Sequence, residues 1–242
     1  IDHRLAIQTS DGRDEGFAVE PMSVATFYAR LMKELNELDV RLSIHPFPNE
    51  IENPIRFDHD EEHRAYDAEY VNRFWRALVQ ADRVFKTFRA RFIGKVSPVH
   101  FFWGAPDLAV TRFSGRRAPM HPGGIPNMPD WSTREAYSHE VSSCGFWPGG
   151  GAIAYPAFYS YAYPEPAGFA QTRVQPDAAF YSSDLREFIL PYDAVRQAKS
   201  PDETLLVFLQ TTYEAAAMLG KWDRASLERG DPKIAASAMR ET

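Results

Sequence analysis

The stretch Lys95–Arg116, K-V-S-P-V-H-F-F-W-G-A-P-D-L-A-V-T-R-F-S-G-R, constrains the fold more than any other part of the chain. It reads as two strands joined by a Gly-Ala-Pro turn. Successive strand residues face opposite sides. His100 and Phe102 therefore share one face of the first strand, and Val99, Phe101 and Trp103 the other. In the second strand Asp107, Ala109, Thr111 and Phe113 share a face, opposite Leu108, Val110 and Arg112. Both faces are largely apolar, which predicts a hairpin buried on both sides. His100, Asp107 and Arg112 in such a hairpin require partners. His139, Glu140 and Asp82 are the partners expected.

A second stretch rich in reactive side chains is Arg134–Trp147, R-E-A-Y-S-H-E-V-S-S-C-G-F-W. Read as a strand, it sends Tyr137, His139, Ser143 and Trp147 to one side and Glu140 and Cys144 to the other. His139 and Glu140 are then not a same-face pair. Between the two stretches, Ser114–Thr133 is dense in Pro and Gly and reads as a long loop carrying His121 and Trp131. A loop of this length in a compact domain is commonly a lid or binding loop.

The remaining elements follow from periodicity and caps. Arg4–Thr9 and Gly16–Glu20 flank the turn Ser10-Asp11-Gly12-Arg13 and predict a hairpin. Ser23 caps a helix whose stripe is Val24, Phe27, Tyr28, Leu31, Met32, Leu35 and Leu38. A short strand is expected at Arg41–Ile44 and an extended, proline-rich connection at His45–Asp58. Asp67–Phe92 is the longest helical pattern, with Val71, Phe74, Trp75, Leu78, Phe85, Phe88 and Phe92 on its apolar face. Asp82 interrupts that face and needs a partner, since a lone buried carboxylate is costly. Tyr155–Tyr163 is an aromatic strand with Tyr159, Tyr161 and Tyr163 on one face. Phe180 lies in a last hairpin, 178–182 with 187–191, and Ser200-Pro201 opens a helix that Gly220 stops. Trp222 is expected to pack back on the body.

These elements define an α+β fold: mostly antiparallel sheet packed by three main amphipathic helices. Two segments, L-A-I-Q-T-S-D-G-R and F-Y-S-S-D-L-R, each lead into a helix and suggest an internal duplication of a hairpin-plus-helix unit. One domain over 1–242 is expected, with lobes 1–58 and 59–229 and a loosely held tail 230–242. The chain opens at Ile1 inside a strand-like segment, which predicts a missing N-terminal portion.

Composition narrows the function classes. The net charge of −6 and lack of a dense basic run argue against nucleic-acid binding, a local patch at Arg112, Arg116 and Arg117 remaining open. The single cysteine, Cys144, excludes an intramolecular disulfide and a Cys-rich zinc site. No apolar run is long enough for a transmembrane helix, and no signal-peptide pattern is present. No membrane partner and a cytoplasmic location are the expectations, with self-association left open.

The blocks H-R-A-Y-D-A-E-Y-V-N-R-F-W-R, F-R-A-R-F-I-G-K-V-S-P-V-H-F-F-W-G, D-L-A-V-T-R-F-S-G-R and E-A-Y-S-H-E-V-S-S-C-G-F-W-P-G-G resemble a bacterial family of unknown function, the domain-of-unknown-function family 5996. The resemblance covers essentially the whole chain. It implies one coherent domain and brings no activity with it.

Two functional readings stand. In the first, the two rich stretches build a small-molecule pocket or active site. His100, Asp107, Arg112, His139 and Glu140 are its acid, base or anion-holding groups, and Trp103, Tyr137 and Trp147 its walls. Histidines with one carboxylate also suit zinc or iron, so a metal is an open expectation. A nucleophilic role for Cys144 or a serine lacks the G-x-S-x-G context. In the second reading the same residues form a buried polar network in a non-catalytic interaction or structural protein. His59-Asp60-Glu61-Glu62-His63 has the histidine spacing of a zinc helix but lacks glutamate after the first histidine, and reads as a solvated acidic helix start.

Overall fold

The computed structural model describes residues 2–151 and 153–230. The chain divides into two compact units, Ile1–Ala77 with Gly124–Pro129, and Leu78–Gly123 with Asp130–Thr242. The expected loosely held tail beyond 230 lies outside the described residues.

In the first unit, β1 (Arg4–Gln8) and β2 (Asp14–Ala18) pair antiparallel. Gly12, at φ +88°, makes the turn that the Ser-Asp-Gly-Arg sequence predicts. Helix α1 (Val24–Glu37) starts where expected, the Ser23 side chain accepting from the Thr26 amide. Its stripe is half-buried, with Phe17 of β2 edge-on to Phe27 at 5.3 Å. The strand expected at Arg41–Ile44 is absent; this segment is irregular, since no neighbouring strand pairs with it. The acidic helix start expected at 59–63 is instead a 3-10 turn, Phe57–His59, followed by Asp60, which is buried. The Asp60 carboxylate accepts from the amides of Glu62 and His63 and contacts His63 Nδ1 at 2.8 Å. Those bonds, chiefly the His63 amide, hold its carboxyl below the ordinary range.

Helix α2 (Ala68–Ala90) follows. Its buried residues are Ala81, Val84, Phe85 and Phe88, whereas Val71 and Trp75, expected in the core, are exposed. Asp82 does not enter the core either. It pairs with Lys86 one turn on, at 2.6 Å.

The second unit is built on a six-stranded antiparallel sheet. Its strands are β3 (His100–Phe102), β4 (Asp107–Arg117), β5 (His139–Trp147), β6 (Ala157–Tyr163), β7 (Phe180–Ser182) and β8 (Glu187–Pro191). The spatial order is β3-β4-β5-β6-β8-β7. Cross-strand rows align His100, Ala109, Gly145, Tyr159 and Ile189 on one face, with Thr111, Ser143 and Tyr161 in the next row. We call this the tyrosine face. The other face carries Val110, Arg112, Cys144, Phe146, Phe158, Phe188 and Leu190, nearly all fully buried.

That second face packs on residues 78–90 of α2 and on α5 (Pro201–Leu219), with Phe85 edge-on to Phe158 at 6.3 Å. On α5, Leu205, Phe208, Leu209, Tyr213 and Ala216 are buried at helical spacing. The helix ends at Gly220 as expected, but Gly220 keeps right-handed φ and Lys221 takes the left-handed turn at φ +53°. A Cβ at Gly220 would lie 3.1 Å from the Trp222 ring, so the glycine makes room for Trp222 to fold back. Short helices α3 (Asp130–Ala136), α4 (Tyr192–Arg196) and α6 (Arg224–Leu227), with a 3-10 turn at Phe169–Gln171, complete the described elements.

The loop expected at 114–133 is shorter at both ends. Strand β4 continues to Arg117 through a bulge whose Gly115 takes φ +85°, and α3 begins at Asp130. Helix α3 also claims Arg134–Ala136, so β5 begins only at His139.

Candidate functional site

The hairpin of the Lys95–Arg116 stretch is not buried on both faces. β3 is an edge strand; His100 and Phe102 are exposed, and Trp103 in the turn is 87% exposed. Only β4, covered on both sides by neighbours, has the expected burial. It separates Asp107 and Arg112 onto opposite faces, as their odd and even positions require.

Arg112 is 1% exposed and makes no ion pair among the described residues, Glu228 acting on it only as a more distant charge. Its guanidinium lies 3.4 Å from the ring centroid of Phe88, 4.2 Å from Tyr213 and 5.1 Å from Phe92. Nη2 donates to the Phe88 carbonyl, while Nε has no partner among the described residues. Burial pushes its pKa down to about 10. The Tyr213 hydroxyl in turn donates to Glu228, which also accepts from Arg224. Arg112 thus sits in an aromatic cage, on the opposite sheet face from Asp107.

Glu140 does meet a cation from the Lys95–Arg116 stretch. The bulge aims Arg116 at it, and Nη2 of Arg116 lies 2.6 Å from the carboxylate. The same guanidinium donates to the carbonyls of Gly220 and Lys221 at the end of α5. Arg116 therefore caps α5, and Glu140 holds Arg116. A small cavity of about 190 Å³ beside Glu140 is lined by Val141, Tyr163, Pro164, Gly220 and Trp222. His139 pairs across from Arg117 and meets the Ser138 hydroxyl at 3.1 Å. Gly145, in the row of His100, is six positions along β5 from His139. The two histidines are therefore about 20 Å apart at the rise of a strand, and they share no site.

His100 and His139 therefore do not come together around one metal position. Among the described residues the acidic groups close enough to share an ion are Glu15, Glu34 and Glu37 of the first unit, with no histidine. Cys144 is buried, and burial pushes its thiol up to about 12, disfavouring the thiolate that a nucleophile needs.

The tyrosine face carries the chemistry that remains. Asp107 is 8% exposed and accepts from the Tyr159 hydroxyl. Tyr161 runs parallel to Tyr159, ring centroids 6.3 Å apart at 16°, and its hydroxyl meets that of Tyr137 at 2.9 Å. Thr111 and Ser143 join hydroxyls at 2.8 Å in the row of Tyr161. Glu187 of β8 is half-buried near this row. Burial, then the charge of Asp107, pushes its carboxyl up to about 7. Burial also raises Asp107, though the Tyr159 hydrogen bond opposes it. Burial holds both tyrosine hydroxyls well above their ordinary range, so they are donors, not bases. Neither carboxylate has an ion-pair partner among the described residues.

His121 stacks on Tyr137 at 4.8 Å and accepts from the Gly123 amide at Nδ1. Tyr163 donates to the Pro119 carbonyl. These contacts fasten the loop after β4 beside the tyrosine face. Trp147 borders the same face, packed with Tyr159 and Leu185 on Ile153, Ala157 and Ile189.

Of the eight side chains expected in one pocket, Asp107 is buried on this face and the half-buried Tyr137 and Trp147 border it. His100 and Trp103 are exposed at the edge, Arg112 is on the other face, and His139 and Glu140 are at the far end of β5. Tyr159 and Tyr161 share the strand face expected from sequence, whereas Glu187 is not among the expected site residues. The available signal for Glu187 is a carboxylate opening the otherwise apolar run E-F-I-L-P.

Fold and site together define an α+β protein whose antiparallel sheet carries two desolvated carboxyls, Asp107 and Glu187, among tyrosines. The chain belongs to a family of unknown function, DUF5996, whose profile matches residues 1–229. No curated protein and no solved structure matches it. No helix among the described residues is long and apolar enough to cross a membrane.

Proposed function

We propose that this chain is a small-molecule-binding protein whose ligand presents a protonated amine or guanidinium to Asp107 and Glu187. One observation carries the reading: two desolvated carboxyls, on β4 and β8 of one sheet face, act on each other electrostatically and have no ion-pair partner among the described residues. Buried carboxylates are ordinarily paired, and an incoming cation would supply the missing charge. The rings of Tyr159 and Tyr161 add faces suited to an organic cation. The absence of a third metal-ligating group beside the pair, among the described residues, favours an organic cation over a metal ion.

A thermal-shift panel tests this. Diamines, polyamines and guanidino compounds are compared with neutral alcohols of equal size. A true ligand at about 100 times its Kd adds roughly 2.7 kcal/mol of stability. The shift should appear with the cations alone and vanish in Asp107→Asn and Glu187→Gln. A panel without any cation-specific shift overturns the proposal.

A second reading, proton transfer to or from the ligand, draws on Glu187 titrating near neutrality. The structural-network reading draws on Arg112 and the Arg116–Glu140 pair, which hold elements together rather than a ligand. A cytoplasmic location with no nucleic-acid partner completes the proposal, resting on the single buried Cys144 and the net charge of −6.

A further inference from the structure

Gly145 lies in the middle of β5, where glycine weakens a strand and has no backbone reason to occur. Its φ is not in the left-handed region that favours glycine, so the residue is required for space. Gly145 pairs directly with Tyr159 of β6, and on its other side with Ala109 of β4. Adjacent strands are about 4.8 Å apart, so β6 and β4 are separated by about 10 Å. Tyr159 nevertheless reaches Asp107 on β4. Its ring must therefore lie across β5. A Cβ at Gly145 would fall 2.4 Å from both Cζ and the hydroxyl oxygen of Tyr159.

We infer that Gly145 is the positioning residue of the tyrosine face: its missing side chain lets Tyr159 span β5 and hold the Asp107 carboxylate. The inference deepens the binding proposal, resting on it for the role of Asp107 in ligand recognition but not for the geometry. Tyr161 runs parallel to Tyr159 and pairs with Ser143, the next same-face position, where a small side chain is present. At Gly145 even a Cβ would overlap the Tyr159 ring as it stands.

The test follows the titration of Asp107 by carboxyl carbon NMR in wild type, Gly145→Ala, Tyr159→Phe and the double variant. The Tyr159 hydrogen bond favours the ionised carboxyl. Its loss should raise the Asp107 midpoint by about half a pH unit or more in both single variants. The double variant should match Tyr159→Phe. An unmoved midpoint in Gly145→Ala, or a double variant shifted beyond Tyr159→Phe, overturns the inference. If Gly145→Ala does not fold, Gly145→Ala with Tyr159→Ala must, because the obstructing ring is gone; a double variant that also stays unfolded overturns it as well. Cation binding is read on the same samples. A wild type without a cation-specific shift but with the expected titrations defeats the binding proposal and leaves the role of Gly145 intact.

Discussion

At the scale of single residues, Glu187 makes the clearest solution prediction. Its carboxyl is lifted from an ordinary 4.5 to about 7 by burial and by Asp107. A carboxyl whose folded pKa is raised binds its proton more tightly when folded. Its stabilising contribution is complete below about pH 4.5 and is lost as pH rises through about 7. A shift of this size corresponds to about 3 kcal/mol as an upper bound. Wild type should therefore lose urea resistance between pH 5 and pH 8, with Glu187→Gln holding steady over that interval. Equal slopes for the two proteins would falsify the assignment. The parity of Asp107 and Arg112 was legible in the sequence, because alternation along a strand is a local property. The importance of Glu187 was not, because its partner is a carboxylate eighty positions away that only the sheet brings near.

At the scale of elements, Arg112 joins β4 to α2 and α5 through the rings of Phe88, Phe92 and Tyr213 and the Phe88 carbonyl. The cage is mostly dispersion and quadrupole attraction, and the Arg112 Nε–H has no partner among the described residues. Arg112→Met keeps the volume and removes the desolvated charge. It should fall within about 1 kcal/mol of wild type in urea unfolding, or exceed it. Arg112→Ala leaves a cavity between the rings and should cost about 2–4 kcal/mol. A methionine variant as unstable as the alanine variant would show that the charge itself holds the elements. The helices α1, α2 and α5 and the hairpins β1–β2, β3–β4 and β7–β8 were readable from period, caps and turns. The burial of α2 is narrower than its period suggests. Val71 and Trp75 share the apolar spacing of Phe85 and Phe88, but spacing states which residues share a face and not whether anything covers it.

At the scale of the whole molecule, the acidic balance sets expectations about partners. A net charge of −6 leaves little to release counterions from a polyanion. The protein should pass through a heparin column at about 50 mM salt. Retention that depends steeply on salt would show that the Arg116–Arg117 neighbourhood overrides the overall charge. By itself, the sequence determined the α+β class, the antiparallel hairpins, the capped helices, and the opposed faces of Asp107 and Arg112. These depend on interactions a few residues apart, which composition and period record directly. Only the tertiary structure decided that β8 lies beside β6, that Tyr159 crosses Gly145 to Asp107, and that His100 and His139 stand far apart. Strand order and register are chosen by burial summed over the whole sheet. Whether a carboxylate loses its water depends on what that sum places over it.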